Sequence, residues 1–424
     1  MLLLLFTPSG AHAQAVDSAN RLTSTREQRL AVFDDVWRSV RDLYYDPRLH
    51  RQPWEELGAQ LRPAAADAPT HREFYVVLRR LLRHLRDSHT RVYAPDEPTN
   101  WPPARPLTTG VAVREVGGQL VIARVERGSA AQRGGIRTGD LLVRIDGREP
   151  RALLSRLLRE EVSASLDETA QFQAVARLLD GPRDETVAVT FANRDGRERT
   201  VALARRELGG ADELKLRRVS DRVWVVEFDA FTPAAATTLI RALRRELRSA
   251  RAIVLDLRNN GGGEAEAMAE MASAFLPAGI SLGSFIDRRQ SVFLAPSTRA
   301  TPLFSPDPLV RFTGPLAILT SEKTASAAEV LIAALKENRR ASVIGTRTCG
   351  CVLGVRRHHG LADGGTLDLS ETDYRTAGGV RLEGAGITPD EIVPLTLRDL
   401  RAGHDAPLAS ALEFFKDQAK ARTK

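Results

Sequence analysis

The chain has 424 residues, 43% hydrophobic and 27% charged, with a formal net charge of +7. That length allows two or three domains with sizeable cores, and the composition excludes a disordered or fibrous chain. No apolar run reaches the roughly 20 residues that span a bilayer, and the basic residues, nearly all arginine, are scattered among acids rather than gathered into a stripe, so neither an integral membrane segment nor a nucleic-acid partner is expected.

Met1-Leu-Leu-Leu-Leu-Phe6, followed by Ala11-His12-Ala13 before Gln14, reads as a secretory signal over residues 1–13, which would direct the protein to a periplasm or outside the cell. A short tail is the alternative, because the basic n-region is missing. From about Thr25 to Leu85 the pattern is helical: Leu30, Val32, Phe33, Val36, Trp37, Val40, Leu43 and Tyr44 make one apolar face, and Arg72 to Leu85 makes another with Phe74, Tyr75, Val77, Leu78, Leu81 and Leu82. A helical domain over residues 25–100 is expected, ending in Asp87-Ser88-His89-Thr90 and a proline-rich linker. A lone histidine at a helix end is ordinarily a cap or surface group.

Short β-type runs follow, among them Gln119 to Val125, Asp140 to Gly147 and Thr186 to Phe191. Gly128-Ser-Ala-Ala-Gln-Arg-Gly-Gly-Ile-Arg-Thr-Gly-Asp140 resembles the glycine-rich turn and short helix of a PDZ domain. The resemblance implies a domain over residues 105–207, mainly β, with a groove that takes an extended peptide by strand addition; a bare scaffold or lid is the alternative. A long helical insert is expected at 151–179.

Beyond Leu214 strands and helices alternate: strand 222–228, helix 234–247, strand 252–257, helix 264–276, strand 315–320, helix 327–337, strand 342–345. This argues for an α/β core with a largely parallel sheet over residues 214–400, followed by a helical tail at 401–424. Functional loops belong at the strand C-termini. One is Asp256-Leu-Arg-Asn-Asn-Gly-Gly-Gly263, whose glycines let backbone N–H groups approach a phosphate or an oxyanion, without the Lys-Ser/Thr of a P-loop. Another is Thr324-Ala-Ser-Ala-Ala-Glu329, where a strand turns into a helix. Ser326 there is placed for a nucleophile beside unpaired first-turn N–H groups, and equally for an ordinary N-cap.

Taken in order, Asp-Ser-His-Thr, the PDZ pattern, Asp-Leu-Arg-Asn-Asn-Gly-Gly-Gly, Thr-Ala-Ser-Ala-Ala-Glu and Leu382-Glu-Gly-Ala-Gly-Ile-Thr-Pro-Asp390 resemble the C-terminal processing (tail-specific) and tricorn-core serine peptidases, from about residue 27 to 396. The resemblance implies that Ser326 is the nucleophile and that Gly262 and Ala327 form the oxyanion hole. Tail-specific members place a lysine base 25 residues after the serine, where this chain has Cys351 in Thr348-Cys-Gly-Cys-Val352. A thiol with a pKa near about 8.5 is no replacement. Tricorn-like members use a histidine preceded by serine and oriented through a glutamate, matched here by Ser88, His89 and Glu383.

The expectation is therefore a serine endopeptidase acting on unstructured proteins or peptides, recognising C-terminal tails through its PDZ domain, with a Ser326–His89 pair supported by Ser88 and Glu383 and with no metal or cofactor. An inactive peptide-binding or scaffold protein of the same fold is the alternative. Lys323 is a distant substitute base, and Glu329 reads as a first-turn residue favouring the helix dipole. Cys349 and Cys351, one glycine apart and without zinc-ligand neighbours, are expected to be free thiols.

Overall fold

The computed structural model describes residues 25–95, 97, 107–181, 184–207 and 214–423. The expected leader at 1–13 and most of the proline-rich linker lie outside them. Helix α1 (Arg26–Leu43) opens on a capping box in which Thr25 Oγ1 accepts the Gln28 N–H and Gln28 Oε1 accepts the Thr25 N–H. It packs with α2 (Trp54–Ala66) and α3 (His71–Arg83). Trp37 and Trp54 each donate their indole N–H to the other's carbonyl at 3.1 Å, which joins α1 to α2. The buried face of α3, Phe74 to Leu82, shares a core with Leu367 and Leu369 of a later strand. After α3 the chain reverses at Arg86, φ 49°, into β1 (Arg91–Tyr93).

A second unit contains β2 (Leu107–Thr108), β3 (Val111–Val116), β4 (Gln119–Val125), α4 (Ala130–Arg133), β5 (Leu141–Ile145), α5 (Pro150–Glu160), α6 (Asp167–Ala176), β6 (Thr186–Ala192), β7 (Glu198–Ala204) and β8 (Arg206–Glu207). Strands β3 to β7 form an antiparallel sheet in sequence order, and β2 pairs with β8. The insert expected as one long helical stretch is two helices. Between them Val162-Ser163-Ala164-Ser165 combines a β-branched residue with serines whose hydroxyls compete for backbone partners, and Asp167 and Glu168 favour a fresh helix start.

The third unit holds a six-stranded sheet in the order β18-β15-β14-β11-β10-β9: β9 (Lys215–Ser220), β10 (Val223–Glu227), β11 (Ala252–Asp256), β14 (Leu316–Thr320), β15 (Ser342–Gly345) and β18 (Glu391–Ile392). All neighbours are parallel except β9 with β10. Helices α7 (Pro233–Arg244), α8 (Ala265–Ser273) and α9 (Ala327–Glu337) cover one face, with Leu239, Met268 and Leu331 in its core. After α10 (Leu397–Ala402), helix α11 (Ala406–Thr423) covers the other face through Leu408, Ala411 and Phe415. Coverage of both faces explains why β11 and β14 read as unbroken apolar runs. The expected multidomain α/β architecture is the one the chain adopts.

The remaining sheet has the order β1-β17-β12-β13, with β16 on β17: β12 (Ser284–Asp287), β13 (Val292–Leu294), β16 (Gly354–Gly360) and β17 (Thr366–Arg375). It carries the helical unit against the core, because β1, which starts two residues after His89, pairs with the strand that shares the α3 core.

Candidate active site

Strand β14 stops at Thr320, and six residues later Ser326 occupies the N-cap of α9 with φ 55° and ψ −122°. A left-handed φ at a non-glycine residue is costly and persists only where its surroundings over-determine it. Here Thr324 Oγ1 donates to Leu257 O at 2.8 Å, Ser321 Oγ to Arg258 O at 2.6 Å, and Ala325 N to Asn260 O at 3.1 Å. The turn is thereby sewn to the glycine-rich loop after β11. The residue at the cap is thus also the strained one at the strand-to-helix turn.

In that loop Gly262 has φ +108°, and a Cβ placed on it would lie 2.6 Å from Ser326 Cβ and 3.2 Å from Ala327 N. Only glycine fits so close to the serine. Its N–H donates to Asn260 Oδ1 at 2.9 Å, while Asn260, fully buried, donates to Phe228 O. Ala327 begins α9, in the turn whose N–H groups have no partner within the helix. At the start of the loop, Arg258 bonds both oxygens of Asp256 (2.8 and 2.6 Å) and both of Asp405 (2.7 and 2.9 Å), so the loop is braced against the beginning of α11.

Glu329 does more than favour the helix dipole. Completely buried, it accepts the Ser326 and Cys351 N–H groups on Oε2 (3.1 and 3.0 Å) and Thr348 Oγ1 and Gly350 N on Oε1 (2.5 and 2.8 Å). Burial raises its pKa, and the four donors oppose that. The 348–353 loop is thus folded around the Ser326 turn, and Ser326 N donates to Cys351 O at 2.8 Å as well. The expectation of free thiols is corrected: Cys349 and Cys351 are joined by a disulfide, their Cα atoms 5.2 Å apart. The sharp bend over Gly350, φ 68°, brings together side chains that an extended loop would hold apart.

His89 follows a turn closed by Asp87, whose carboxylate accepts His89 N at 2.7 Å and Thr90 N at 3.2 Å. Its Nδ1 is buried without a hydrogen-bond partner, and burial lowers the imidazole pKa against the opposing pull of Asp87. A buried nitrogen without a partner costs about 1–3 kcal/mol, so its environment has to be accounted for. Ser88 Oγ lies 3.3 Å from Cys351 Sγ and accepts Gln173 Nε2 at 3.3 Å. Cys351 therefore touches both the serine turn and the histidine segment. Lys323 shares its neighbourhood with Asp229, Arg124 and Arg114, the last two on β4 and β3 of the second unit.

Glu383, 5% exposed, accepts Val352 N at 2.7 Å and Leu353 N at 3.3 Å, and burial pushes its pKa up to about 8. The hydroxyl bonded to its carboxyl is that of Ser165, between α5 and α6, and no bond joins it to Ser88 or His89 among the described residues. Sequence reasoning missed Ser165 along with Thr169, which donates to Cys349 O at 2.8 Å, and Gln173. The signal was present as serines alternating with the buried Val162 and Ala164, a polar edge with no solvent-helix period.

Comparison with known proteins matches peptidase family S41 over residues 222–393, the tricorn protease C1 domain over 25–83 and the PDZ domain over 105–159. The chloroplastic C-terminal processing peptidase of Tetradesmus obliquus is 29% identical over 401 residues, 88% of this chain and 80% of that one. A carboxyl-terminal-processing protease of Synechocystis is 26% identical over 96% of this chain and 90% of its own length. Among solved structures, a photosystem II D1 C-terminal processing protease superposes with a TM-score of 0.55 at 25% identity, covering 87% of this chain and 93% of that one. Mature CPAF complexed with lactacystin has a TM-score of 0.65, covering 94% and 98%, at 14% identity, a likeness of fold alone.

Proposed function

We propose that this chain, which belongs to peptidase family S41 and is a serine-type peptidase, cleaves unstructured polypeptide with Ser326 as nucleophile and His89 as general base. In this reading the imidazole, kept neutral by burial, takes the Ser326 proton as Oγ attacks the peptide carbonyl, and later returns it to the leaving amine. Ala327 N–H, at the positive end of α9, is one donor to the oxyanion. Gly262 N–H is the second, released from Asn260 Oδ1 when the substrate arrives. The likeness to carboxyl-terminal-processing relatives and the PDZ unit support a substrate tail held beside the cleft, and the leucine-rich start supports export to a periplasm or beyond.

One observation carries the choice of histidine over lysine: the position of the lysine expected by resemblance is filled by a disulfide sulfur, which cannot accept a proton from serine, and that sulfur adjoins the Ser88-His89 segment. The test is cleavage of an unstructured peptide by wild type, Ser326→Ala, His89→Ala and Lys323→Ala, with labelling by a serine-directed probe. Loss of cleavage and labelling in Ser326→Ala, a fall of about 10²–10⁴ in kcat for His89→Ala and an active Lys323→Ala are expected. An active His89→Ala would refute the base assignment, and an unreactive wild type would favour the peptide-binding scaffold.

A further inference from the structure

The segment Val162-Ser163-Ala164-Ser165 belongs to the PDZ unit, yet its two hydroxyls face the end of the helical unit. Val162 and Ala164 are buried at 4% and 5% exposure, so the alternating serines point the other way. Ser163 Oγ accepts Asp87 N at 3.1 Å. Ser165 Oγ lies 3.0 Å from Arg86 O and bonds Glu383 Oε1. Arg86 also pairs with Asp167 of α6 at 2.6 Å. The turn that ends in Ser88 and His89 is therefore gripped from outside its own unit.

A hydroxyl has one proton, and Ser165 has two acceptors in reach. Both contacts are satisfied together only when Glu383 carries its own proton and donates it to Ser165 Oγ, leaving the hydroxyl to donate to Arg86 O. When Glu383 ionises, Ser165 turns its proton to the carboxylate and Arg86 O loses that donor. The surroundings make both states accessible near neutrality. Burial first, then Asp87, and Glu329 to a lesser degree hold the Glu383 carboxyl up to about 8, opposed by Ser165 and Val352 N–H. Arg381 donates to the Glu383 backbone carbonyl at 3.0 Å, and the Tyr44 and Tyr45 phenols also feel its charge.

We propose that Ser165 is a positioning residue for catalysis, through which the PDZ unit couples the protonation of Glu383 to the placement of the turn carrying Ser88 and His89. The proposal rests on the peptidase reading above. Ser165 touches neither reacting atoms nor substrate; it fixes the distance between the Glu383 loop and the histidine segment.

The test is kcat and KM of the full chain on an unstructured peptide from about pH 5 to about pH 10, for Ser165→Ala, Ser165→Thr, Glu383→Gln and Ser326→Ala. Ser165→Ala is expected to lower kcat by about tenfold to a hundredfold with KM little changed, and to displace the limb of the profile that Glu383→Gln removes. Ser165→Thr, which keeps the hydroxyl, is expected to restore both. A readout independent of turnover is the infrared carbonyl band of protonated Glu383 in the Ser326→Ala background, whose titration midpoint is expected to move in Ser165→Ala. Wild-type kcat and profile in Ser165→Ala beside an impaired Glu383→Gln overturn the proposal, as does a loss of kcat that Ser165→Thr fails to rescue. Full activity in Glu383→Gln overturns it together with the role of Glu383, whereas an active Ser326→Ala removes the peptidase mechanism itself.

Discussion

Cys351 Sγ lies 3.3 Å from Ser88 Oγ, and because that sulfur is bonded to Cys349 only the hydroxyl can donate. The sulfur is a neutral acceptor and spacer in the position of the expected lysine. The double variant Cys349→Ser, Cys351→Ser is therefore expected to keep more than about a tenth of wild-type kcat, far from the loss that follows removal of a general base. A disulfide ring this short adds only about 1.5 kcal/mol by loop entropy, so reduction should lower the thermal midpoint modestly. A collapse of kcat matching that of His89→Ala would show that a sulfur takes part in proton transfer.

Gly262→Ala tests the approach of the glycine loop to Ser326. The added methyl would meet Ser326 Cβ at 2.6 Å and sit at a φ of +108°, costing about 1–3 kcal/mol in strain alone. Loss of peptidase activity with a lowered melting temperature is expected. Gly261→Ala, where a Cβ meets nothing within 4 Å, is the control. Equal effects at the two positions would argue against close approach as the cause.

Glu329→Gln replaces an acceptor of four hydrogen bonds with a group that must turn an NH2 toward two of the donors. Each buried donor left unpaired costs about 1–3 kcal/mol. The variant is expected to be destabilised by a few times the median surface substitution and to bind a serine-directed probe slowly, because Ser326 N and the 350–351 backbone lose a common anchor. Unchanged chemical denaturation would contradict this role.

Glu383 also makes a prediction about pH. Its carboxyl is raised from 4.5 to about 8 in the folded state, so between those values the native protein holds a proton that the unfolded chain has released. Stability from this group is fully present below the lower value and is lost as pH rises through about 8. Glu383→Gln should flatten the pH dependence of the denaturation midpoint across that window. A slope identical to wild type would place the proton elsewhere.

The parts of this molecule that could be read from residues alone were those with one dominant pattern. Helix 327–337 has the bounds expected of it because small and apolar residues run without interruption from the Ser326 turn. Strand β17 escaped notice because Asp368, Ser370, Glu371, Thr372 and Asp373 are buried in it, each at under 10% exposure. Such a run resembles a loop until its partners are known: His358 on Asp368, His359 on Glu371 at 2.9 Å and Arg381 on Asp373 at 3.0 Å. Those partners lie eight to twelve residues away, across the β16–β17 pair or past the next turn, farther than a helix or strand period reaches. The disulfide was missed for a different reason: spacing argued against a bridge, and the bend at Gly350 that permits it depends on bonds to Glu329 and Gly384. The alternation of serines with apolar residues marked the Ser165 segment, but the partners of Ser165, 79 and 218 residues away, were not legible from it.

Arg258, held between Asp256 and Asp405, ties the glycine loop to an element on the far face of the sheet. A search for inactive variants made by random substitution would accordingly return Asp405 together with Ser326. An inactive Asp405 variant therefore reports displacement of the glycine loop from a distance, and residues scored as essential have to be sorted by whether substrate binding survives their loss.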